Sequence, residues 1–167
     1  HDIKVFSKVS NLDLVEIHLS YKDLEVDLDQ VLPERQEIGL VVHAPELFAG
    51  DHTLDLCTAD EGYRDHSVRE LQRVIDISRD LRGRFRCPAP VLLVTNVGGF
   101  SEHRHLDRDE RKPLQQRLIE SLGRLNCGGD VEIIPQTMPP FPWHFGGQRF
   151  HNLFVDPGFI HSFCEQQ

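Results

Sequence analysis

The stretch Asp130-Val131-Glu132-Ile133-Ile134-Pro135-Gln136-Thr137-Met138-Pro139-Pro140-Phe141-Pro142-Trp143-His144-Phe145-Gly146-Gly147-Gln148 decides how this chain is read. It opens as a buried strand. It then breaks into a loop, and the stretch holds four of the ten prolines, the only Trp and a Gly pair. A loop so rich in rings and prolines has little freedom to lose on ordering, the make-up of a segment built to hold something. The plainer reading is a rigid connector whose aromatics cap the end of a core. Outward from this stretch one pattern recurs: a strand, a polar or Gly/Pro loop, then a helix.

Upstream, Ile3 to Val9 carries apolar residues at 3, 5, 6 and 9 and reads as a short helix. Leu14 to Leu19 reads as the first strand, with Val15, Ile17 and Leu19 on one face and Leu14, Glu16 and His18 on the other. A buried charge on such a face must be paired or put to use. Asp27 to Arg35 is weakly helical at best. Ile38 to Val42 is nearly all apolar, as a strand covered on both faces would be, and runs into His43-Ala44-Pro45-Glu46. After a long loop, Ser67 and Glu70 form a capping box, and Val68, Leu71, Val74, Ile75 and Leu81 give the stripe of a helix closed by Gly83.

The third strand, Pro90 to Thr95, ends in Asn96-Val97-Gly98-Gly99. Pro113 falls in the first turn of the next helix, whose apolar face is Leu114, Leu118, Leu122 and Leu125. The mixed-charge run Arg104 to Lys112 reads as its solvated entrance. Asn126-Cys127-Gly128-Gly129 stops it, and the fourth strand follows. Asp156-Pro157 starts a last helix, with Ile160 and Phe163 on its buried side. Apolar strands alternating with amphipathic helices predict an α/β fold with parallel strands. Polar and Gly/Pro residues collect after each strand, where both a (β/α)₈ barrel and an open doubly wound sheet bind their ligands. No GxGxxG or GxxxxGK[ST] occurs, which disfavours a nucleotide-binding open sheet.

At 167 residues a single domain, 1–167, is expected. A formal net charge of −9 argues against a nucleic-acid partner. Ten histidines favour metal or acid–base chemistry. Cys57, Cys87, Cys127 and Cys164 lack CxxC spacing and read as reduced, buried thiols of a cytoplasmic protein. No run has the length of a membrane span and no signal peptide is visible. The opening His1-Asp2-Ile3-Lys4 has the look of an internal piece.

Four motifs carry a resemblance. Val15-Glu16-Ile17-His18, Val42-His43-Ala44-Pro45-Glu46, Asn96-Val97-Gly98-Gly99 and Ile134-Pro135-Gln136-Thr137-Met138-Pro139-Pro140 resemble successive strand ends of the xylose isomerase-like TIM barrels, which include sugar isomerases, epimerases and apurinic endonucleases. The resemblance covers most of the chain but only the first half of that barrel. His1-Asp2 followed by Leu14 to Glu25 also resembles a segment downstream of the synthase and antifreeze-like domains in some long bacterial sialic acid synthase-like proteins. The resemblance implies a TIM-barrel first half acting on a sugar or sugar phosphate, in nonulosonate (sialic acid) biosynthesis.

It also implies a divalent metal (Mg, Mn or Zn) held at strand ends. His43 matches a metal-ligating histidine of the endonuclease branch. Asn96 stands where that branch carries another ligand histidine, and Gln136 stands in place of the family's metal-binding glutamate. A neutral amide is a poor substitute for a carboxylate on a hard cation. The other family ligands would lie on strands five to eight, so the metal site is expected to be incomplete in this chain.

The expected roles follow from these readings. Glu16 and His18 are candidates for proton transfer, or else a paired ion inside a barrel. Asn96, Gly98 and Gln136 are candidate substrate contacts, although a plain tight turn accounts for Gly98-Gly99 equally well. Trp143 and His144 would stack on a sugar ring or cap the core. Isomerisation needs a base to take a proton alpha to a carbonyl while a metal stabilises the enediolate. A catalytically degenerate sugar-binding or assembly domain is the alternative, with a metal-dependent endonuclease behind it. Four βα units are about half of a barrel, and a half-barrel leaves two raw edges and one apolar face. Either the chain continues past Gln167 or two copies associate.

Overall fold

The computed structural model describes residues 11–142 and 148–165. The helix expected over 3–9 and the residues Trp143 and His144 lie outside these. In chain order the elements are β1 (Leu14–His18), a 3-10 turn (Tyr21–Glu25), α1 (Leu28–Val31), β2 (Gly39–His43), β3 (Leu47–Phe48), β4 (His52–Thr53), α2 (Glu61–Arg82), β5 (Val91–Thr95), β6 (Phe100–Ser101), α3 (Arg108–Leu122), β7 (Val131–Pro135), β8 (Phe150–His151) and α4 (Pro157–Cys164).

The fold is α/β around a four-stranded sheet in the order β1-β2-β5-β7, every neighbouring pair parallel. Sequence order and spatial order coincide in the sheet. Parallel crossovers are right-handed in nearly every protein, so unidirectional winding puts all the connections on one face. Burial agrees. Leu40, Val42, Val91, Leu93 and Val131 join Leu71, Val74, Ile75, Leu81, Leu114 and Leu118 in one buried cluster. In α2, Leu71, Val74 and Ile75 are fully buried, each contributing about 1.5–3 kcal/mol relative to exposure.

Among the described residues no element packs over the other face of the sheet. Cross-strand register places Leu14, Glu16 and His18 beside Gly39, Val41 and His43, then Leu92 and Val94, then Glu132 and Ile134. Leu14 is 56% and Leu92 38% exposed. The apolar run of β2 predicts cover on both faces, whereas among the described residues only the helix side is covered. Val41, Val94 and Ile134 are only half-buried, whereas Leu40, Val42, Leu93 and Val131 on the helix side are sealed.

Two helix starts also differ from expectation. Helix α2 begins at Glu61, where the Asp60 carboxylate accepts the Tyr63 N–H at 3.0 Å. Ser67 is therefore not a cap but a buried residue inside the helix, its hydroxyl 2.9 Å from His52 Nε2 and accepting the Asp55 N–H. Helix α3 begins at Arg108 under an Asp107–Glu110 capping box, which leaves Pro113 in the interior rather than in the first turn. Two short antiparallel pairs, β3 with β4 and β6 with β8, stand apart from the main sheet. All four cysteines are free, but only Cys57 is buried as expected: Cys87 and Cys127 are half-buried and Cys164 is exposed. No helix among the described residues is long and apolar enough to cross a membrane.

Candidate functional site

The site lies at the C-terminal ends of β1 and β2. Parallel register sets His18 directly beside His43. Their rings stack with centroids 4.5 Å apart and planes 6° from parallel, close to the ordinary spacing of neighbouring strands, about 4.8 Å. Glu16 sits two residues before His18 and so shares its face. Its Oε1 lies 3.0 Å from His18 Nε2. One ligand atom from each of Glu16, His18 and His43 falls within a common 4.8 Å.

The three differ in exposure and anchoring. The β1 side chains are open, with 45% of Glu16 and 70% of His18 exposed. His43 is buried at 9% exposure and anchored. Its Nδ1 lies 2.9 Å from the Ala44 carbonyl oxygen. A carbonyl can only accept, so Nδ1 carries the proton and Nε2 the free lone pair. The chain around it is held in turn: the Ala44 N–H donates to Val94 O, and the His43 carbonyl accepts from Leu19 N–H. Pro45, which cannot donate to a ladder, then follows.

The remaining expected residues divide. Period two puts Gln136 on the uncovered face after Glu132 and Ile134, two strands from His43 and so roughly 10 Å across the sheet. Its N–H donates to Thr95 O, while its buried Oε1 has no hydrogen-bond partner among the described residues. Asn96 is buried and committed to its own loop, its Oδ1 accepting the Gly98 N–H at 2.9 Å. Gly98, with φ +81°, presses on Asp55: a Cβ there would stand 2.3 Å from Asp55 Oδ1 and 2.5 Å from its Cα. The glycine is required by this approach between two loops. The structure thus brings Glu16, His18 and His43 together and leaves Asn96 and Gly98 building the loop beyond β5.

Sequence reasoning passed over Asp55. Its Oδ1 accepts from Cys57 N–H at 2.9 Å and Gly99 N–H at 3.0 Å. Burial pushes its carboxyl above the usual carboxylate range, opposed by the N–H groups of Gly99, Cys57 and Thr58 and by the Arg117 charge. Asp55, Thr58, Asp60, Tyr63, Phe100 and Arg149 line a cavity of about 240 Å³, with the Arg149 guanidinium 5.4 Å from the centre of the Phe100 ring. The one local signal was an acid between apolar neighbours, Leu54-Asp55-Leu56, in a loop otherwise read as connector. His52 belongs to the scaffold: burial, reinforced by His66 and opposed by Glu70, holds its pKa below the usual histidine value.

Comparisons of the chain with protein-family models, with curated proteins and with solved structures give no match.

Proposed function

We propose that this chain is a sugar isomerase- or epimerase-like domain acting on a sugar or sugar phosphate. In this reading the four parallel strands are the first half of a (β/α)₈ barrel. The uncovered face is the barrel interior, closed by four further strands from a continuing chain or from a second copy. The observation that carries the reading is the convergence of Glu16, His18 and His43 at strand C-termini, on the face such a barrel would turn inward.

The chemistry is proton transfer alpha to a carbonyl. Glu16 takes the proton, and His18, hydrogen-bonded to it, orients the carboxylate and donates to the substrate oxygen. Gln136, with its unpartnered amide oxygen on the same face, would accept from a sugar hydroxyl. A divalent ion would supply polarisation of the carbonyl, and His43 would be its ligand on this chain. The likeness to sialic acid synthase-like proteins supports a role in nonulosonate biosynthesis.

A second reading rests on Gln136: the amide in place of a carboxylate suits a degenerate domain that binds a sugar without turning it over. Ligand-observed NMR with neutral sugars and sugar phosphates, run in D2O, separates the two. Binding with deuterium uptake at the carbon next to the carbonyl, lost in Glu16→Gln, is the expected result. Binding without uptake favours the degenerate reading, and no binding by any of them removes both.

A further inference from the structure

We propose that Glu16, His18 and His43 form a complete three-ligand site for one divalent transition-metal ion of the zinc class, contained in β1 and β2 alone. The family likeness would place its other metal ligands on strands five to eight, outside the four parallel strands described. The site proposed here does not depend on those strands, and it assigns Glu16 and His18 to the ion in place of the proton-transfer roles given them above.

Three observations point to it. First, the donor set is two imidazoles and one carboxylate, which suits zinc or cobalt over magnesium, a cation that prefers oxygen ligands. Second, His43 is prepared as a ligand. Its Nδ1 proton is committed to the Ala44 carbonyl, the arrangement that fixes ring orientation in metal-binding histidines and leaves Nε2 to the ion. An ordinary surface pair between His18 and Glu16 would need no such third donor beside it. Third, the spacing is within reach. The three ligand atoms lie within 4.8 Å of one another, and ligands on a tetrahedral zinc lie about 3.3 Å apart. The His18 and His43 rings are stacked with their in-plane lone pairs parallel, so binding requires the exposed His18 ring to unstack and turn with Glu16 toward the anchored His43. Among the described residues no other group of three His, Cys, Asp or Glu converges in this way. The exposure of two ligands leaves at least one coordination position to water or substrate, the mark of a reactive rather than a closed structural site.

The test uses the whole chain, stripped with a chelator and titrated with Zn²⁺ and with Co²⁺. Calorimetry should give one ion per chain. Co²⁺ should develop the intense visible bands of four- or five-coordination in place of the faint spectrum of the hydrated ion. Glu16→Gln and His18→Asn should each weaken binding at least tenfold. Both side chains are substantially exposed, so circular dichroism of the metal-free variants should match that of the parent. The exposed His103→Asn should bind as the parent does. Zn²⁺ binding no tighter to the parent than to the Glu16→Gln/His18→Asn double variant would overturn the proposal, as would a Co²⁺ spectrum identical to the hydrated ion. A chain that takes up metal but no sugar refutes the sugar reading alone; one that binds sugar but no metal refutes this site alone.

Discussion

Gly98→Ala is the sharpest perturbation the structure offers, because Gly50→Ala is its control. Both glycines adopt positive φ, +81° and +74°. An alanine in that region costs about 1–2 kcal/mol from backbone strain alone. At Gly50 nothing lies within 4 Å of the added Cβ, so the cost should stop there. At Gly98 the Cβ would meet the Asp55 backbone at 2.5 Å, and flexible side-chain motion cannot relieve that overlap. The two loops must part, and the Gly99 N–H bond to the Asp55 carboxylate goes with them. A hydrogen bond to a charged group contributes about 1.5–3 kcal/mol. The Gly98 variant should therefore lose about 3–5 kcal/mol, some 2–3 kcal/mol more than Gly50→Ala. At about 2–4 °C per kcal/mol in a chain of this size, its Tm should fall by about 6–20 °C. Urea titrations and thermal melts followed by circular dichroism measure both. If the two variants agree to within about 0.5 kcal/mol, the close approach of these loops is not a stabilising contact.

Further predictions follow from burial and charge. The Asp55 carboxyl has its pKa raised by burial. The unfolded chain therefore loses this proton first. The associated stability is present below the ordinary carboxylate pKa and is lost as pH rises through the raised one. Asp55→Asn, whose amide oxygen can still accept both N–H groups, should flatten that decline in pH-dependent urea melts; an unchanged slope would refute the assignment. Asn152 is buried, donates to Gly99 O and Ser101 Oγ, and accepts from Leu106 N–H. Asn152→Ala should destabilise by about 2–3 kcal/mol, and a loss below about 1 kcal/mol would show the bonds replaced by water. The uncovered face predicts concentration-dependent association of the chain. Leu92→Glu should suppress this in sedimentation velocity at little cost to folding, whereas a parent that stays monomeric at high concentration would show that the face needs no cover.

Strand ends were legible because their signals are local: an apolar run, then His43-Ala44-Pro45 or Asn96-Val97-Gly98-Gly99. Helix starts were less so. The first two turns of α2, Glu61 to His66, carry no apolar stripe, and only the Asp60 cap announces them. The open face followed only from counting four βα units, because Val41, Leu92, Val94 and Ile134 are apolar whether or not something covers them. Glu16, His18 and His43 could each be named from sequence, but their meeting depends on a register between strands more than twenty residues apart. The Asp55–Gly99 bond joins residues 44 apart, and no local pattern could have paired those loops.

Strand β1 pairs with β2 on one side, and among the described residues no strand pairs with its other side. Edge strands are where a native protein opens first, so the β1 amides should exchange with solvent faster than those of β5, which has neighbours on both sides. Two of the three converging side chains ride on this strand, and the third is fixed to its neighbour. Whatever they grip together acts as a rivet across the weakest seam of the sheet. Occupancy of the site would then be readable far from any chemistry, as slowed amide exchange along Leu14–His18.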